Sequence, residues 1–324
     1  MNHSPSPAQL DTQESKMPRL VLDPVRSQLR PEAEDLRDLA VDGSFGGSFA
    51  GPAAQGLYTE ADSIPWYRRR SYFFNGWTDG VVWRSAFVEC IATACMVYIS
   101  AQFGVTLMNH GITQVVAYVG IFTTILLSTF IYATASATGG HMNPMITFTT
   151  ILCGLTPVSR GTILIAAQTL GGALAGGLIL GSLGHERAMA YKGGGNFFDP
   201  DEISPGQVLL IETISGFTVL ILAIGNGLDP RRQALYGHRL GPLLVGLSVG
   251  LVLCAGTGLA PGYTGPGLNP TRGLALAIAG NHWQNHWVWW VGPALGSILS
   301  AAMYNFAPPS FIERNTRKRL TSVA

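Results

Sequence analysis

The clearest shortage in this sequence is charge. Only 12% of its 324 residues are Asp, Glu, Lys or Arg, which is about half of the roughly 25% that soluble domains carry. Apolar residues make up 47%, and the formal net charge is +1. A net charge this small gives no reason to expect a nucleic-acid partner. The composition indicates an integral, multi-pass membrane protein in contact with membrane lipid.

Cysteine is also scarce, and its positions show no pattern with a known chemistry. The four cysteines lie in apolar stretches without CxxC or metal-ligand spacing: Cys90, Cys95, Cys153 and Cys254. We therefore expect free thiols within the membrane and no metal site. The apolar stretches also supply no set of nucleophile, base and orienting group. The sequence gives no support for an enzyme and calls for no cofactor.

The beginning of the chain lacks the basic start and apolar run of a secretory signal. Residues 1–62 are rich in Ser, Pro, Gly, Ala and acidic residues, without a sustained apolar period. Such a composition cannot bury enough apolar surface to fold by itself. We expect residues 1–75 to be a disordered tail, residues 76–306 to be the membrane domain and residues 307–324 to be a C-terminal tail.

Six apolar blocks reach the ~20 residues that a membrane-spanning helix needs. They run from Val82 to Phe103, Thr113 to Ala135, Gly161 to Leu183, Gln207 to Leu228, Leu240 to Gly258 and Trp287 to Phe306. Basic clusters mark the cytosolic side of a span, and here they precede the first block, separate blocks four and five, and follow block six. With an even number of spans, the charges predict that both termini are cytosolic.

Two short segments between the spans begin with Asn-Pro after a glycine-rich run. The first is Gly139-Gly140-His141-Met142-Asn143-Pro144-Met145, and the second is Gly265-Pro266-Gly267-Leu268-Asn269-Pro270-Thr271-Arg272. Asn is a preferred helix N-cap, and Pro fits the first helical turn because its missing N–H has no partner there. The apolar residues that follow, Ile146 to Leu155 and Gly273 to Ala279, predict helices too short to span a bilayer.

The chain is an internal repeat of two similar halves. Each half has a span with a buried glutamate, a second span, an Asn-Pro half-helix and a third span, and the glutamates are Glu89 and Glu212. Because each half has three spans, the second half must be inverted relative to the first. We therefore predict an all-α membrane protein of six transmembrane helices and two re-entrant half-helices, which enter from opposite faces and meet near the midplane.

This arrangement predicts a selective passage. Irregular backbone at membrane depth is tolerated only where protein covers it or water lines it. Two helix N-termini pointing at the centre bring about half a positive charge each, which disfavours a cation or an excess proton. A small uncharged molecule finds donors and acceptors in succession.

The two boxes, the preceding Gly-Gly-His, Arg272 and the two glutamates resemble the aquaporin or major intrinsic protein family over about Val82 to Phe306. The resemblance implies a homotetramer with a pore in each subunit, in which Asn143 and Asn269 contact the permeating molecule. Met145 and Thr271 stand where the family usually has Ala. These divergent boxes and the long N-terminal tail are similar to the X intrinsic protein branch.

The resemblance also implies an outer constriction formed by four positions, which fall on Thr123, Thr257, Pro266 and Arg272. Strict water channels usually have an aromatic residue at the first position and His at the second. Because both are missing here, we expect a wider opening that passes glycerol, urea or hydrogen peroxide as well as water. In contrast, Gly273, Trp289 and Trp290 resemble the water-conducting pattern.

The buried carboxylates leave an alternative open. A proton-coupled secondary transporter of a small polar solute would use Glu89 and Glu212 as proton carriers, whereas in the resembled family such residues brace the glycine-rich loops. We predict the brace, with water and small neutral solutes as the partners of a passive channel. A junction protein is a more distant third possibility, since adhesion does not require an arginine in a constriction.

Further candidate residues lie in the loops and tails. The resemblance favours a pore-lining or loop-bracing role for Gly139, Gly140, His141, Gly265 and Gly267. The run 193–195 is predicted to fold over the outer mouth. Ser71 follows three arginines and Thr321 follows Lys-Arg, so both are candidate phosphorylation sites. The plasma membrane is the expected location.

Overall fold

The computed structural model describes residues 66–229 and 239–306. Several predictions fall outside the described residues. They are the disorder of residues 1–65, the basic loop with Arg231 and Arg232, the C-terminal tail and the phosphorylation site Thr321. All described residues belong to one compact unit. Within them the chain is helical, and the pairing of extended backbone is limited to an isolated bridge between Phe198 and Tyr263.

Ten α-helices follow one another in the described residues. They are α1 (Arg70–Phe74), α2 (Gly80–Asn109), α3 (Val115–Thr138), α4 (Pro144–Leu152), α5 (Val158–Leu183), α6 (His185–Ala190), α7 (Pro205–Ala223), α8 (Gly241–Gly256), α9 (Pro270–Gly280) and α10 (Val288–Phe306). Short 3₁₀ turns occupy Trp66–Arg68 and Lys192–Gly194, and a π-helical turn, Ile224–Leu228, continues α7.

Each of the six predicted spans coincides with one helix, which confirms the predicted fold class. Helices α2, α3, α5 and α7 with its π-helical continuation are long and apolar enough to cross a membrane. Helix α8 is equally apolar but has 16 residues, and α10 has 19. The largest difference in bounds is in α2, which continues six residues beyond the predicted end at Phe103.

The two predicted half-helices are α4 and α9, with 9 and 11 residues, or about 14 and 17 Å at 1.5 Å per residue. Each begins at its Asn-Pro box. Helix α4 ends two residues before Gly154, which lies against Trp66, whereas α9 ends at Gly280, which lies against Lys192. We call the side with Trp66 the tail face and the side with Lys192 the distal face.

The first residues of the described chain are part of this domain. Tyr72 on α1 is buried and donates a hydrogen bond to the Ile151 carbonyl near the end of α4, at 2.6 Å. The Gly76 N–H donates to Ser159 Oγ at 3.0 Å. Residues of the segment 66–76 therefore contact the membrane domain, and the boundary after residue 75 stays a prediction.

Glycines allow the helices to cross closely. A Cβ atom added at Gly296 of α10 would lie 2.8 Å from both the Phe217 nitrogen and the Thr213 oxygen, which are backbone atoms of α7. Gly172 of α5 meets the Thr271 carbonyl in the same way. The small-residue spacing of the sequence predicts such contacts. Gly177 and Gly181 have the same spacing, but nothing in the described chain lies within 4 Å of a Cβ placed there.

Replacing Gly296 by alanine should destabilise the domain, because backbone atoms cannot move aside as a flexible side chain can. We expect a loss of about 1–3 kcal/mol, the usual cost of overpacking. The measurement is thermal unfolding of the purified protein in detergent. Gly206→Ala is the control, since Gly206 is helical and has no neighbour within 4 Å. A Gly296→Ala protein as stable as the control would contradict the close crossing.

Candidate transport pore

The two half-helices meet at their N-terminal ends through a reciprocal pair of hydrogen bonds. Asn143 Nδ2 donates to the Leu268 carbonyl at 2.9 Å, and Asn269 Nδ2 donates to the Met142 carbonyl at 3.1 Å. Each asparagine also caps its own helix, because its Oδ1 accepts the backbone N–H of the second residue after it, at 2.9 and 3.1 Å. The predicted meeting of the two boxes is therefore present in the structure.

The residue before each asparagine has an unusual backbone. Met142 and Leu268 have φ angles of 44° and 56°, in the left-handed region that side chains rarely adopt and that costs about 1–3 kcal/mol. In both residues the N–H donates to a buried glutamate, and the carbonyl accepts from the opposite asparagine. These hydrogen bonds hold both loops in the strained conformation.

Glu89 and Glu212 lie behind the loops and are completely buried. Glu89 accepts the N–H groups of His141 and Met142 at 3.0 and 2.6 Å, and Glu212 accepts those of Gly267 and Leu268 at 2.8 and 3.3 Å. Side chains complete each network. Glu89 also accepts from Thr138 and Gln168, and Glu212 from Tyr263. This is the geometry expected of a brace.

A cavity of about 690 Å³ passes through the meeting point of the half-helices. On the distal side it reaches the loop at Thr113, and toward the tail face it reaches Leu228. Its wall includes most of the predicted pore residues: Gly139, Gly140, His141, Asn143, Met145, Gly265, Gly267 and Asn269. Among the described residues, Glu89 and Glu212 are not part of that wall.

Arg272 lies on the distal side of the cavity, one turn into α9. Its Nε donates to Ser100 Oγ on α2 at 3.1 Å, and its Nη1 donates to Asn196 Oδ1. Asn196 is 2% exposed and has a left-handed φ of 48°. Neither partner is evident from the sequence, because Asn196 and Ser100 lie 76 and 172 positions away from Arg272 along the chain.

The triple-glycine run carries Asn196 to the arginine. Gly194 has a φ of 111°, and a Cβ there would lie 2.5 Å from the Ala101 carbonyl of α2. A Cβ at Gly193 would lie 2.6 Å from the Leu276 carbonyl of α9. The run is therefore inserted between α2 and α9. The sequence suggests that this run folds over the outer mouth. In the structure the run lies deeper and forms part of the cavity wall.

The other three predicted constriction residues also line this cavity. Thr257 caps the end of α8, and a Cβ at Gly265 would lie 2.8 Å from Thr257 Oγ1. Pro266 packs against Gly256. The cavity wall also contains an aromatic pair that was not predicted from the sequence. The Phe103 and Phe122 rings stack with 3.7 Å between centroids and line the same cavity.

Comparisons with known proteins agree with this geometry. Residues 77–304 match the model of the family described as "Major intrinsic protein". The chain is 30% identical to a probable aquaporin PIP2-6 of Oryza sativa subsp. japonica, over 69% of this chain and 80% of the relative. It is 31% identical to a probable aquaporin PIP2-8 of Arabidopsis thaliana, over 69% and 81%.

This chain belongs to the major intrinsic protein family. Among solved structures it is similar to the aquaglyceroporin from Plasmodium falciparum, with a TM-score of 0.59 and 16% identity, over 72% of this chain and 99% of that chain. The likeness to that structure establishes the fold. The placement in the X intrinsic protein branch stays a prediction.

The two departures from the usual Asn-Pro-Ala box of this family have different surroundings. The Thr271 hydroxyl donates to Asn269 Oδ1 at 2.7 Å, so it reinforces the cap. Met145 is 2% exposed, lines the cavity and approaches Gly216 of α7. A Cβ at Gly216 would lie 3.2 Å from its sulfur atom. The absence of a side chain at Gly216 makes room for the larger residue.

The distal mouth of this major intrinsic protein carries Lys192 and two histidines. The Lys192 ammonium lies 5.1 Å from the centre of the Phe197 ring. Burial lowers the pKa of His282 below its usual value, and the nearby Lys192 acts in the same direction. Burial also lowers the pKa of His286, whose Nε2 accepts the Trp290 indole N–H at 3.1 Å. Both shifts favour the neutral imidazole.

Replacing Asn196 by alanine should remove the hydrogen bond that Arg272 donates to Asn196 and leave the one to Ser100. A hydrogen bond to a charged group contributes about 1.5–3 kcal/mol, so the guanidinium would leave its position and enter the cavity more often. We expect water permeability of reconstituted vesicles to fall several-fold. Gln284→Ala is the control, because Gln284 is exposed on the same face. Unchanged permeability in the Asn196→Ala protein would show that Asn196 does not position the arginine.

Proposed function

We propose that this protein is a passive membrane channel for water and small uncharged solutes, with glycerol, urea and hydrogen peroxide as candidates. The observation that carries the proposal is the reciprocal hydrogen bonding of Asn143 and Asn269 inside a cavity with Arg272 on its wall. This arrangement places amide donors at the narrow centre and a fixed guanidinium near the entrance. The family membership supports the same function.

Ion and proton exclusion follows from charge. The N-termini of α4 and α9 point at the same centre, and each contributes about half a positive charge. Each asparagine Oδ1 is used by a helix cap, so the amide groups offer N–H donors to a water molecule at this point. A water that accepts from these donors is oriented by them, which opposes proton transfer along the file. Cations are repelled by the same potential and by Arg272.

The choice of solutes depends on the constriction, which we propose to consist of Thr123, Thr257, Pro266 and Arg272. Hydroxyl groups and the guanidinium can hydrogen-bond a polyol or urea. The stacked Phe103 and Phe122 add an apolar wall on the same cavity. A surface with both kinds of group suits a molecule that has hydroxyls on one side and C–H groups on the other.

The hydrogen bonds of the two glutamates favour the channel over the proton-coupled transporter. A carrier must exchange its proton with the solute path, whereas Glu89 and Glu212 accept backbone N–H groups and are absent from the described cavity wall. Protonation of either carboxylate would weaken these hydrogen bonds and loosen the loops. The bracing role of both residues is therefore part of the proposal.

The assembly, location and orientation are also proposed. Large apolar side chains are exposed on the outer surfaces of the spanning helices, which supports contact with lipid and with other subunits of a homotetramer. The positive-inside rule supports cytosolic termini, and the plasma membrane is the proposed location. Ser71 is exposed on α1 beside Arg70, which is compatible with phosphorylation. Size-exclusion chromatography with light scattering would test the tetramer.

Stopped-flow light scattering of reconstituted vesicles tests the function. A channel should raise water permeability above that of empty vesicles with a low activation energy, and solute flux should rise linearly with the gradient. Glycerol, urea and hydrogen peroxide are compared in the same vesicles, with an internal pH dye to report proton flux. Flux that saturates at low solute concentration, or that carries protons, would instead identify a transporter.

Replacing Phe103 by alanine should change the solute selectivity. Removing one ring of the stacked pair widens the cavity near Arg272, so we expect glycerol permeability to rise several-fold relative to water. Phe87→Ala is the matched control, because Phe87 is on the same helix and 69% exposed on its outer side. An unchanged glycerol-to-water ratio would remove Phe103 from the selective wall.

A further inference from the structure

The segment 66–84, which we call the basic collar, combines positive charge with exposed aromatic rings on the tail face. Its four arginines are Arg68, Arg69, Arg70 and Arg84, and its one acidic residue is Asp79. The carboxylate of Asp79 is already used as a helix cap, since it accepts the Val81 N–H at 2.8 Å. Arg68, Arg70 and Arg84 are exposed, and the Arg68 guanidinium lies 5.9 Å from the centre of the Tyr67 ring.

Some aromatic residues of the collar pack against the protein, and others are exposed on its surface. Tyr72 is buried and Trp66 covers Gly154, where a Cβ would lie 2.5 Å from the indole ring. By contrast, Phe74 is 63% exposed and Trp83 is 55% exposed. The Trp83 indole N–H donates to the Trp77 carbonyl at 2.9 Å, so this exposed ring is fixed rather than free to turn inward.

Exposed tryptophan beside arginine is the composition of a membrane–water boundary. Tryptophan rings are favoured at the level of the lipid headgroups, and arginine binds phosphate with paired hydrogen bonds. The collar ends in the first turns of α2, a helix long and apolar enough to cross a membrane, so its rings and guanidinium groups are expected at headgroup depth. Exposed cationic groups at this depth attract anionic headgroups.

The collar also contacts the end of the pore half-helix α4. The Tyr72 hydroxyl donates to the Ile151 carbonyl in the last turn of α4, and Trp66 covers the turn that follows at Gly154. Asn305 of α10 donates to the next carbonyl, that of Leu152, at 3.0 Å. The final carbonyls of a helix need such partners, so the collar contributes to fixing the outer end of α4.

From these contacts we infer that the basic collar is a binding site for anionic phospholipid headgroups, and that an occupied site holds the collar against the end of α4. The ligand is a lipid of the leaflet on the tail face, bound by Arg68, Arg70 and Arg84 and flanked by the exposed rings. This goes beyond transport, because it concerns stability of the pore half-helix rather than passage through the pore.

Hydrogen–deuterium exchange of the full chain tests the inference without a transport measurement. The protein is compared in vesicles of phosphatidylcholine alone and in vesicles that also contain phosphatidylserine. We expect the anionic lipid to slow exchange in residues 66–79 and in residues 151–156 by at least about threefold. The variant with Arg68→Gln, Arg70→Gln and Arg84→Gln should lose this lipid dependence. All three side chains are solvent-facing in the described chain, so the variant should still fold.

Two controls separate the proposal from other causes. Arg187→Gln removes an exposed arginine on the distal face and should behave as the unchanged protein does. The single Arg84→Gln protein should show a partial loss, and it replaces the triple variant if that variant fails to fold. Soluble glycerol phosphate is added to phosphatidylcholine vesicles as a probe without acyl chains, and it should have no effect.

Several results would overturn the inference. Equal slowing in the triple variant would show that the arginines do not bind the lipid. An equal effect of glycerol phosphate would identify a free anion as the ligand. The absence of any lipid effect in the full chain would show that the collar is not a site for anionic lipid. Slowing of residues 66–79 without residues 151–156 would remove the link to α4.

Discussion

Every backbone polar group at membrane depth needs a hydrogen-bond partner, and this constraint governs the centre of the protein. A half-helix must stop inside the bilayer and continue as irregular chain, which leaves several N–H and C=O groups without helical partners. Glu89 and Glu212 accept the N–H groups. The asparagines of the opposite loops bind the carbonyls of Met142 and Leu268. The same hydrogen bonds that make the fold possible also form the pore.

Charge selection follows from the way these partners are distributed. The carboxylates lie behind the loops, where they bind main-chain donors, while the amide donors and the helix N-termini face the cavity. The wall near the centre is therefore positive although buried carboxylates lie close behind it. At the entrance, the acceptors likewise lie behind the charged group that faces the cavity. Ser100 and Asn196 accept from Arg272 and keep the guanidinium on the wall, where it repels cations and leaves space for a neutral molecule.

The distal and tail sides of the pore are also held by loops and helix ends away from the two Asn-Pro boxes. On the distal side, the triple-glycine run brings Asn196 between α2 and α9. On the tail side, the basic collar and the last turn of α10 bind the final carbonyls of α4. The core repeat itself has little freedom to change, since its helices cross at glycines.

The sequence by itself determined the six spans, the two half-helices and their inversion, because hydrophobic length and the Asn-Pro caps are local signals. It also located the paired glutamates, since an ionisable residue within an apolar span is rare. It did not reveal Asn196, Ser100, the Phe103–Phe122 stack or the docking of Tyr72. Those depend on residues from distant segments meeting in space, and no local pattern records such a meeting. Only the tertiary structure decided which groups hold Arg272 and which carbonyl each asparagine binds.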